Sequence, residues 1–242
     1  SLVLKEGILQ KIKPDAIIAQ HVLPEMESGN TGFRSGRYMA SSDEIYIDIV
    51  GKGGHAALPG SSTDQILIAS QLLQKLKFSV YEFAGDQKIA FGIGKFIADG
   101  ATNVIPANVH IEGTLRTFDE KLRAELHKLI RDICKDSEIP KVSINPEIRK
   151  GYPVLNNDND LTEKAINISK KVNGPEHTEQ LDLRLSSEDF GYYSQEFPVV
   201  FYRFGTKHPD QPIRHLHTST FDIHEAAMET GIRTMLALVV DL

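Results

Sequence analysis

The sequence predicts a partial α/β domain interrupted by an inserted α+β unit of the ferredoxin-like, split βαβ type. Three observations carry that expectation. Between about residues 41 and 150, hydrophobic periodicity signals strand, helix, strand, strand, helix, strand. That order is a split βαβ unit, an antiparallel sheet with both helices on one face. On either side, short apolar runs alternate with amphipathic helical stretches, as in an α/β layer. A length of 242 residues suits two modest domains, and an insertion with its own core is an ordinary domain pattern. The expected boundaries are residues 1–40 with 151–242 for the α/β part and 41–150 for the insertion.

Each element has its own signal. Residues 15–21 (DAIIAQH) form a short apolar run, like a buried strand. Ile45, Ile47 and Ile49 then alternate with Glu44, Tyr46 and Asp48, the period of a half-buried strand. Thr63 is placed to cap a helix over 63–77 carrying Ile66, Leu67, Leu72, Leu73 and Leu76. A second strand over 88–98 sets Ile89, Phe91 and Ile93 on one face. A third over 108–118 opposes Val109, Ile111 and Leu115 to His110, Glu112, Thr114 and Arg116. Asp119 caps a helix striped by Leu122, Leu126, Leu129, Ile130 and Ile133, and residues 141–148 close the set as a fourth strand. Beyond it come a helix over 160–172, strands at 181–185 and 199–204, a short helix capped by Ser187, and a closing helix over 225–241.

Composition narrows the function classes. A net charge of −6 without a Lys/Arg run argues against nucleic acid or a membrane surface as partner. No apolar stretch reaches the length of a membrane span, and the first residues lack the basic flank and cleavage pattern of a signal peptide. The expectation is a cytoplasmic protein. The single cysteine, Cys134, forms no intrachain disulfide and reads as a core residue of its helix.

Five side chains stand where chemistry could be placed. His21, in AQHVLP, ends an apolar run; ligands bind at strand ends in α/β folds, and a neutral imidazole there can hold a metal. The bland alternative is a histidine hydrogen-bonded at a strand terminus. His217 belongs to a cluster with His215 and His224 whose spacing fits no standard zinc motif; the alternative is a polar loop. If that stretch is extended, His215 and His217 share a face and one is a bystander. His55 follows the glycines of GKGGHAALP and is offered on a loop as acid, base or donor, or has no role. Asn103, in ATNVIPAN, is a turn former or a donor to a developing oxyanion. Arg116 could fork onto a carboxylate or be a solvated strand residue. Glu188 and Asp189 read as helix-start acids.

Taken in order, the motifs resemble one family. GRYMASSDEIYIDIVGKGGHAALP, AQHVLP, TNVIPANVHIEGTLRTFD, SEDFGYY and LHTSTFD are similar to stretches of the two-metal amidohydrolases of the aminoacylase/carboxypeptidase type, in the hippurate hydrolase and auxin-conjugate amidohydrolase branch. The resemblance spans His21 to Glu225. It implies an α/β metallohydrolase domain carrying a lid and dimerisation domain. It also implies two divalent ions (zinc, manganese, cobalt or nickel) and a homodimer paired through the lid sheets. The substrate would be an N-acyl amino acid, hippurate-like, or a small peptide. By the same resemblance His21 and His217 are metal ligands, and His55 reaches into the partner subunit's site to stabilise the tetrahedral oxyanion. Asn103 contacts substrate there, and Arg116 binds a carboxylate. In the family the ions activate a bridging water, and a glutamate serves as general base.

One departure matters. The Cys-Gly-His-Asp-type ligand motif and the Glu-Glu pair, which lie upstream of the His21 position in the family, are absent; Glu25 and Glu27 do not match the pair. His224 stands where an acid often follows the terminal Phe-Asp run. The chain therefore reads as the C-terminal part of such an enzyme, inactive by itself. The alternatives are a non-catalytic ligand-binding or dimerisation module, which a native start near Ser1 would favour, and a peptidase of the same family.

Overall fold

A computed structural model describes residues 2–58 and 60–242. In chain order the elements are α1 (Leu2–Lys5), α2 (Ile8–Ile12), β1 (Ile17–Glu27), β2 (Thr31–Phe33), β3 (Gly36–Met39), β4 (Asp43–Val50), β5 (Gly54–His55), α3 (Gln65–Ala84) and β6 (Ile89–Ile97). There follow β7 (Val104–Ile105), β8 (Asn108–Thr117), α4 (Glu120–Asp136), β9 (Ser143–Lys150), β10 (Leu155–Asn157), α5 (Asn159–Asn173), β11 (Thr178–Gln180), β12 (Val199–Lys207) and α6 (Ala226–Asp241). Short 3₁₀ turns occupy Pro175–His177 and Asp189–Gln195. The chain divides into two compact units: one runs up to Met39 and takes in Leu155–Arg184 and Glu188–Leu242, the other takes in Ala40–Val154 and Leu185–Ser187.

The inserted unit is built on a four-stranded antiparallel sheet in the order β6-β8-β4-β9. Alternation decides its sidedness. Ile45, Ile47 and Ile49 of β4 meet Val109 and Ile111 of β8 and Ile144 of β9 in one core, which α3 covers with Leu72, Leu76 and Val80 and α4 with Leu126, Ile130 and Cys134. The opposite face carries Glu44, Tyr46, Asp48, His110 and Glu112. Helix α3 starts at Gln65 and is capped by Asp64, whose Oδ1 accepts from Leu67 N at 3.0 Å. Thr63, the expected cap, instead accepts from Lys52 N at 3.0 Å, which ties the glycine loop to the helix start. The helix runs on to Ala84 because Val80 and Ala84 continue its buried stripe. Asp119 caps α4 through Leu122 N at 2.9 Å.

Beneath that sheet lies a buried ionic cluster with no signal in the periodicity. Asp43, 1% exposed, accepts from His127 Nε2 at 2.7 Å and from Arg123 Nη2 and Nε at 2.6 and 2.9 Å. Arg123 also donates to the carbonyls of Ser42 and Gly151, and to Glu120, whose Oε1 accepts from Val154 N. Burial by itself would raise the Asp43 pKa, but the hydrogen bonds from His127 and Arg123, with their charge, hold it below the ordinary carboxylate value.

The other unit has a mixed sheet in the order β1-β12-β2-β11, with β1 parallel to β12 and His21 opposite Arg203. On one face Phe33, Val200 and Tyr202 pack against Ala165 and Ile168 of α5 and Leu238 of α6. Tyr38, Leu155, Phe190, Val199 and Phe201 form a second cluster. Three expectations need correction here. The run at 15–21 is not a buried strand: β1 extends to Glu27, and Ile17 to Val22 are only half-buried, because β1 is the last strand of its sheet. Residues 181–185 are not a strand: β11 ends at Gln180. Glu188, not Ser187, caps the turn that follows, accepting from Phe190 N. Among the described residues no helix is long and apolar enough to cross a membrane.

Candidate functional site

His21 lies midway along β1, where the parallel ladder with β12 fixes its position. Its Nδ1 is 2.8 Å from the Val22 carbonyl. That carbonyl asks for a proton on Nδ1 and the donor Nη1 of Arg203 for a bare Nδ1, so the two contacts favour opposite tautomers. Arg203, 3% exposed, stands behind it: Nη1 is 3.1 Å from both Val22 O and His21 Nδ1, and Nε donates to Tyr38 Oη at 2.8 Å. Burial lowers the His21 pKa, the Val22 hydrogen bond opposes this, and the charges of Arg203, Arg184 and His217 lower it further. The ring is thereby kept neutral, the form that ligates.

His217 is reached by a turn rather than an extended stretch, so the expectation that His215 and His217 share a face does not apply. Thr218 Oγ1 donates to His215 O at 2.8 Å, and His217 itself has φ 61°. The left-handed region is uncommon for a side-chain-bearing residue and is found preferentially where function holds it. The other histidines go elsewhere. His215 lies 3.7 Å from Glu25. His224 donates from Nδ1 to Ser28 Oγ at 2.9 Å, since that hydroxyl already donates to Lys207 O, and its ring meets His208 edge-on at 4.6 Å. Glu188 has its pKa raised by burial and by a hydrogen bond with Asp189.

The inserted unit holds the other three candidates. His55 lies in β5, paired with Val104 of β7, and Ala56 N donates to Asn103 O at 2.9 Å. The two loops expected to act together are thus pinned together. Ala57 N donates to His55 Nδ1 at 3.1 Å, which puts the proton of the neutral ring on Nε2 and leaves an exposed N–H donor. Gly53 is required nearby, because a Cβ there would come within 2.7 Å of Ile105 O. Asn103 is exposed at the turn before β7. Arg116 sits on β8 opposite Ala90, at a cavity of about 590 Å³ that Glu44, Tyr46, Arg149 and Tyr152 also line. Its Nη1 is buried without a hydrogen-bond partner. An unmade hydrogen bond on a buried donor costs roughly 1–3 kcal/mol, while the side chain as a whole is half-buried at the cavity.

A two-metal centre needs more than this chain shows. The structure offers two imidazoles, and among the described residues no group of three or more His, Cys, Asp or Glu side chains is arranged to hold a metal ion. Catalytic zinc typically takes three protein ligands and a water. The residues present fit one side of such a centre, not the whole of it. Arg203 was missed in the sequence, although an arginine inside the apolar run VVFYRFG is itself a signal, since that residue type is almost never buried without a partner.

The chain is thus two compact units, one of them carrying a four-stranded antiparallel sheet with two helices on one face, with His21 midway along β1 and His217 in a left-handed turn. Residues 1–241 match the family described as peptidase family M20/M25/M40, and the chain belongs to it. It is 30% identical over 241 residues to the N-acetyldiaminopimelate deacetylase of Lactobacillus acidophilus, covering 98% of this chain and 62% of that protein. A candidate aminohydrolase of methicillin-resistant Staphylococcus aureus superposes with a TM-score of 0.88 at 28% identity, over 98% of this chain and 61% of that one. The Bacillus subtilis YXEP protein, described as a dinuclear metal-binding peptidase of the M20 family, shares the fold with a TM-score of 0.78 at 23% identity, over 98% and 60%. The chain thus spans less than two thirds of the length of these relatives.

Proposed function

We propose that the whole protein is a metal-dependent amidohydrolase that cleaves the amide bond of an N-acyl amino acid in the cytoplasm, and that this chain is its rear part, inactive alone. The family match over residues 1–241 carries the reading, since it takes in all five candidate residues. His21 and His217 would each give a ring nitrogen to one of two divalent ions, zinc, manganese, cobalt or nickel being compatible with imidazole. Bound there, the ions supply Lewis acidity and an activated water. The general base and the remaining ligands lie outside this chain. His55 presents its Nε2–H to the oxyanion that develops on the scissile carbonyl, where one such donor is worth about 10²–10³ in rate. Asn103, on the loop pinned to it, contacts substrate, and Arg116, which lines its cavity, forks onto the substrate carboxylate.

The lid reading adds a homodimer. β6 is an end strand of its sheet, with Phe96 and Ile97 exposed, and an uncovered edge is a template for a second copy. By the family resemblance, His55 and Asn103 would then act in the partner's site. The substrate is either hippurate-like or, as the Lactobacillus relative's name indicates for that protein, an N-acetylated diamino acid.

The test is release of free amino acid from N-acetyldiaminopimelate and from hippurate by the full-length protein, stripped of metal and then reloaded. Activity restored by metal and lost in His21→Ala and His217→Ala supports the reading, and the preferred acyl group settles the substrate. Full activity in the stripped protein, or in His217→Ala, would sink it. Light scattering on full-length protein should give twice the monomer mass.

A further inference from the structure

Register lays out the open face of the inserted sheet. On β8, Arg116, Thr114 and Glu112 follow one another at alternate positions, and β4 sets Glu44 opposite Thr114 and Tyr46 opposite Glu112. Glu44 and Arg116 are therefore diagonal neighbours, about 7–8 Å apart. Strand β9 brings Arg149 opposite Glu44. On the other side Gly92 of β6 lies opposite Thr114, with no side chain to fill the space. Glu44, Tyr46, Glu112, Thr114, Arg116 and Arg149 all line the cavity of about 590 Å³.

The charges around that cavity are not equally engaged. Glu112 accepts from Lys95 Nζ at 2.7 Å and meets His110 Nε2 at 3.1 Å. Arg149, the cross-strand neighbour of Glu44, turns instead to Glu147, with Nε 2.6 Å from Oε1, and lies over the Tyr46 ring. Asp43 is held by Arg123 and His127. Lys150, opposite Asp43, falls by alternation on the helix side of the sheet. Glu44 is left with a neutral donor, Tyr46 Oη, at 2.9 Å, and Arg116 Nη1 has no hydrogen-bond partner. Among the described residues, neither Glu44 nor Arg116 makes an ion pair, with each other or elsewhere.

An N-acyl amino acid with an uncharged side chain, hippurate included, brings only a carboxylate to such a cavity, because its α-nitrogen is locked in the amide. Arg116 answers that group, whereas an unpaired Glu44 close by would only repel it. We infer that Glu44 is a specificity-determining residue that reads a second ammonium on the amino acid part of the substrate, so that the substrate class is the N-acyl diamino acid. The spacing fits. With the carboxylate on Arg116, a side chain of four or five bonds of about 1.5 Å each carries an ammonium across the diagonal to Glu44. Tyr46, by its hydrogen bond, is the positioning residue for that carboxylate. The inference rests on the amide-hydrolysis reading, in which Arg116 takes the substrate carboxylate.

The test uses the full-length protein and two compounds of the same shape, Nα-acetyl-lysine and Nα-acetyl-2-aminoheptanoate, which differ in the terminal ammonium. The ratio of their kcat/KM values should favour the lysine derivative by about tenfold or more, the worth of one charge-assisted hydrogen bond. Glu44→Gln should bring that ratio close to one, and Glu44→Asp should restore part of it. The ratio is the readout because a merely structural role of Glu44 would lower both rates together. Calorimetric binding of the same two compounds to the metal-free protein repeats the comparison without turnover. If neither compound is hydrolysed, the hydrolase reading fails, and the binding ratio still decides this inference. No preference for the lysine derivative in either measurement, or a preference that survives Glu44→Gln, overturns it.

Discussion

The two units differ in how completely they bury what their sequences offer. In the inserted unit the isoleucines of β4, the stripes of α3 and α4 and the inner residues of β8 share one closed core, and even its charges are internalised as a matched cluster around Asp43. In the other unit comparable apolar residues on α6 and β1 stay in view of solvent. Both follow the same helix and strand rules, so the difference is one of partners rather than of local structure.

The largest effect that tests this contrast is in the closed unit. Asp43→Ala leaves the buried Arg123 with only the partly exposed Glu120 as anion and His127 without its acceptor, and should cost about 3 kcal/mol, read as a shift of the urea midpoint. The pH dependence has a definite sign. A folded-state pKa below the ordinary 3.8 means that the carboxylate's stabilisation is present above that value and lost as pH falls through the folded pKa. Acid unfolding of the wild type below about pH 4 should therefore be steeper than that of Asp43→Asn. If the two acid limbs coincide, the cluster is not what holds the unit at low pH.

A pair of identical substitutions comes next. Leu126→Ala, at 0% exposure, should cost about 2–5 kcal/mol, whereas Leu236→Ala, at 61%, should change stability by less than about 0.5 kcal/mol. Equal costs would mean that α6 is covered in solution and that the contrast between the units is false. Smaller again is His217→Gly. The left-handed turn suits glycine, so stability should move by no more than about 1 kcal/mol, while metal binding by the full-length protein falls at least tenfold by calorimetry. A large loss of stability would make His217 a structural residue.

The smallest effect is on the open face of the inserted sheet. His110 has its pKa raised by its hydrogen bond to Asp48, against burial and with help from Glu112. A raised folded-state value stabilises below the ordinary histidine pKa and is lost as pH rises through the folded one. The melting-temperature gap between wild type and His110→Gln should therefore be wider at pH 5.5 than at pH 9, and a gap independent of pH would remove His110 from the account.

Much of this was legible in the sequence, and the exceptions share a cause. Period-two alternation in β4 and the Asp119 cap of α4 could be read directly because both are local. The Thr63 and Ser187 caps were misplaced by one residue each: adjacent polar residues compete for the same helix N–H, and backbone geometry selects Asp64 and Glu188. The five candidate residues were named from motifs. What the motifs withheld was the surroundings, namely Arg203 behind His21, the Ala57 N–H that sets the His55 tautomer, and the unpartnered nitrogen of Arg116. The first depends on strands distant in sequence being brought into register, and the second on the exact backbone of a tight turn, neither of which periodicity reports.

The hydrogen bond from Gly151 N to Ser42 O, at 2.7 Å, brings the chain's entry into the inserted sheet beside its exit from it. Its two ends are stapled by Arg123 whatever the chain does beyond them. Such a unit is a cassette: its genetic gain, loss or exchange needs one point of attachment, and a protein engineer could graft it into any exposed turn wide enough for two adjacent strands.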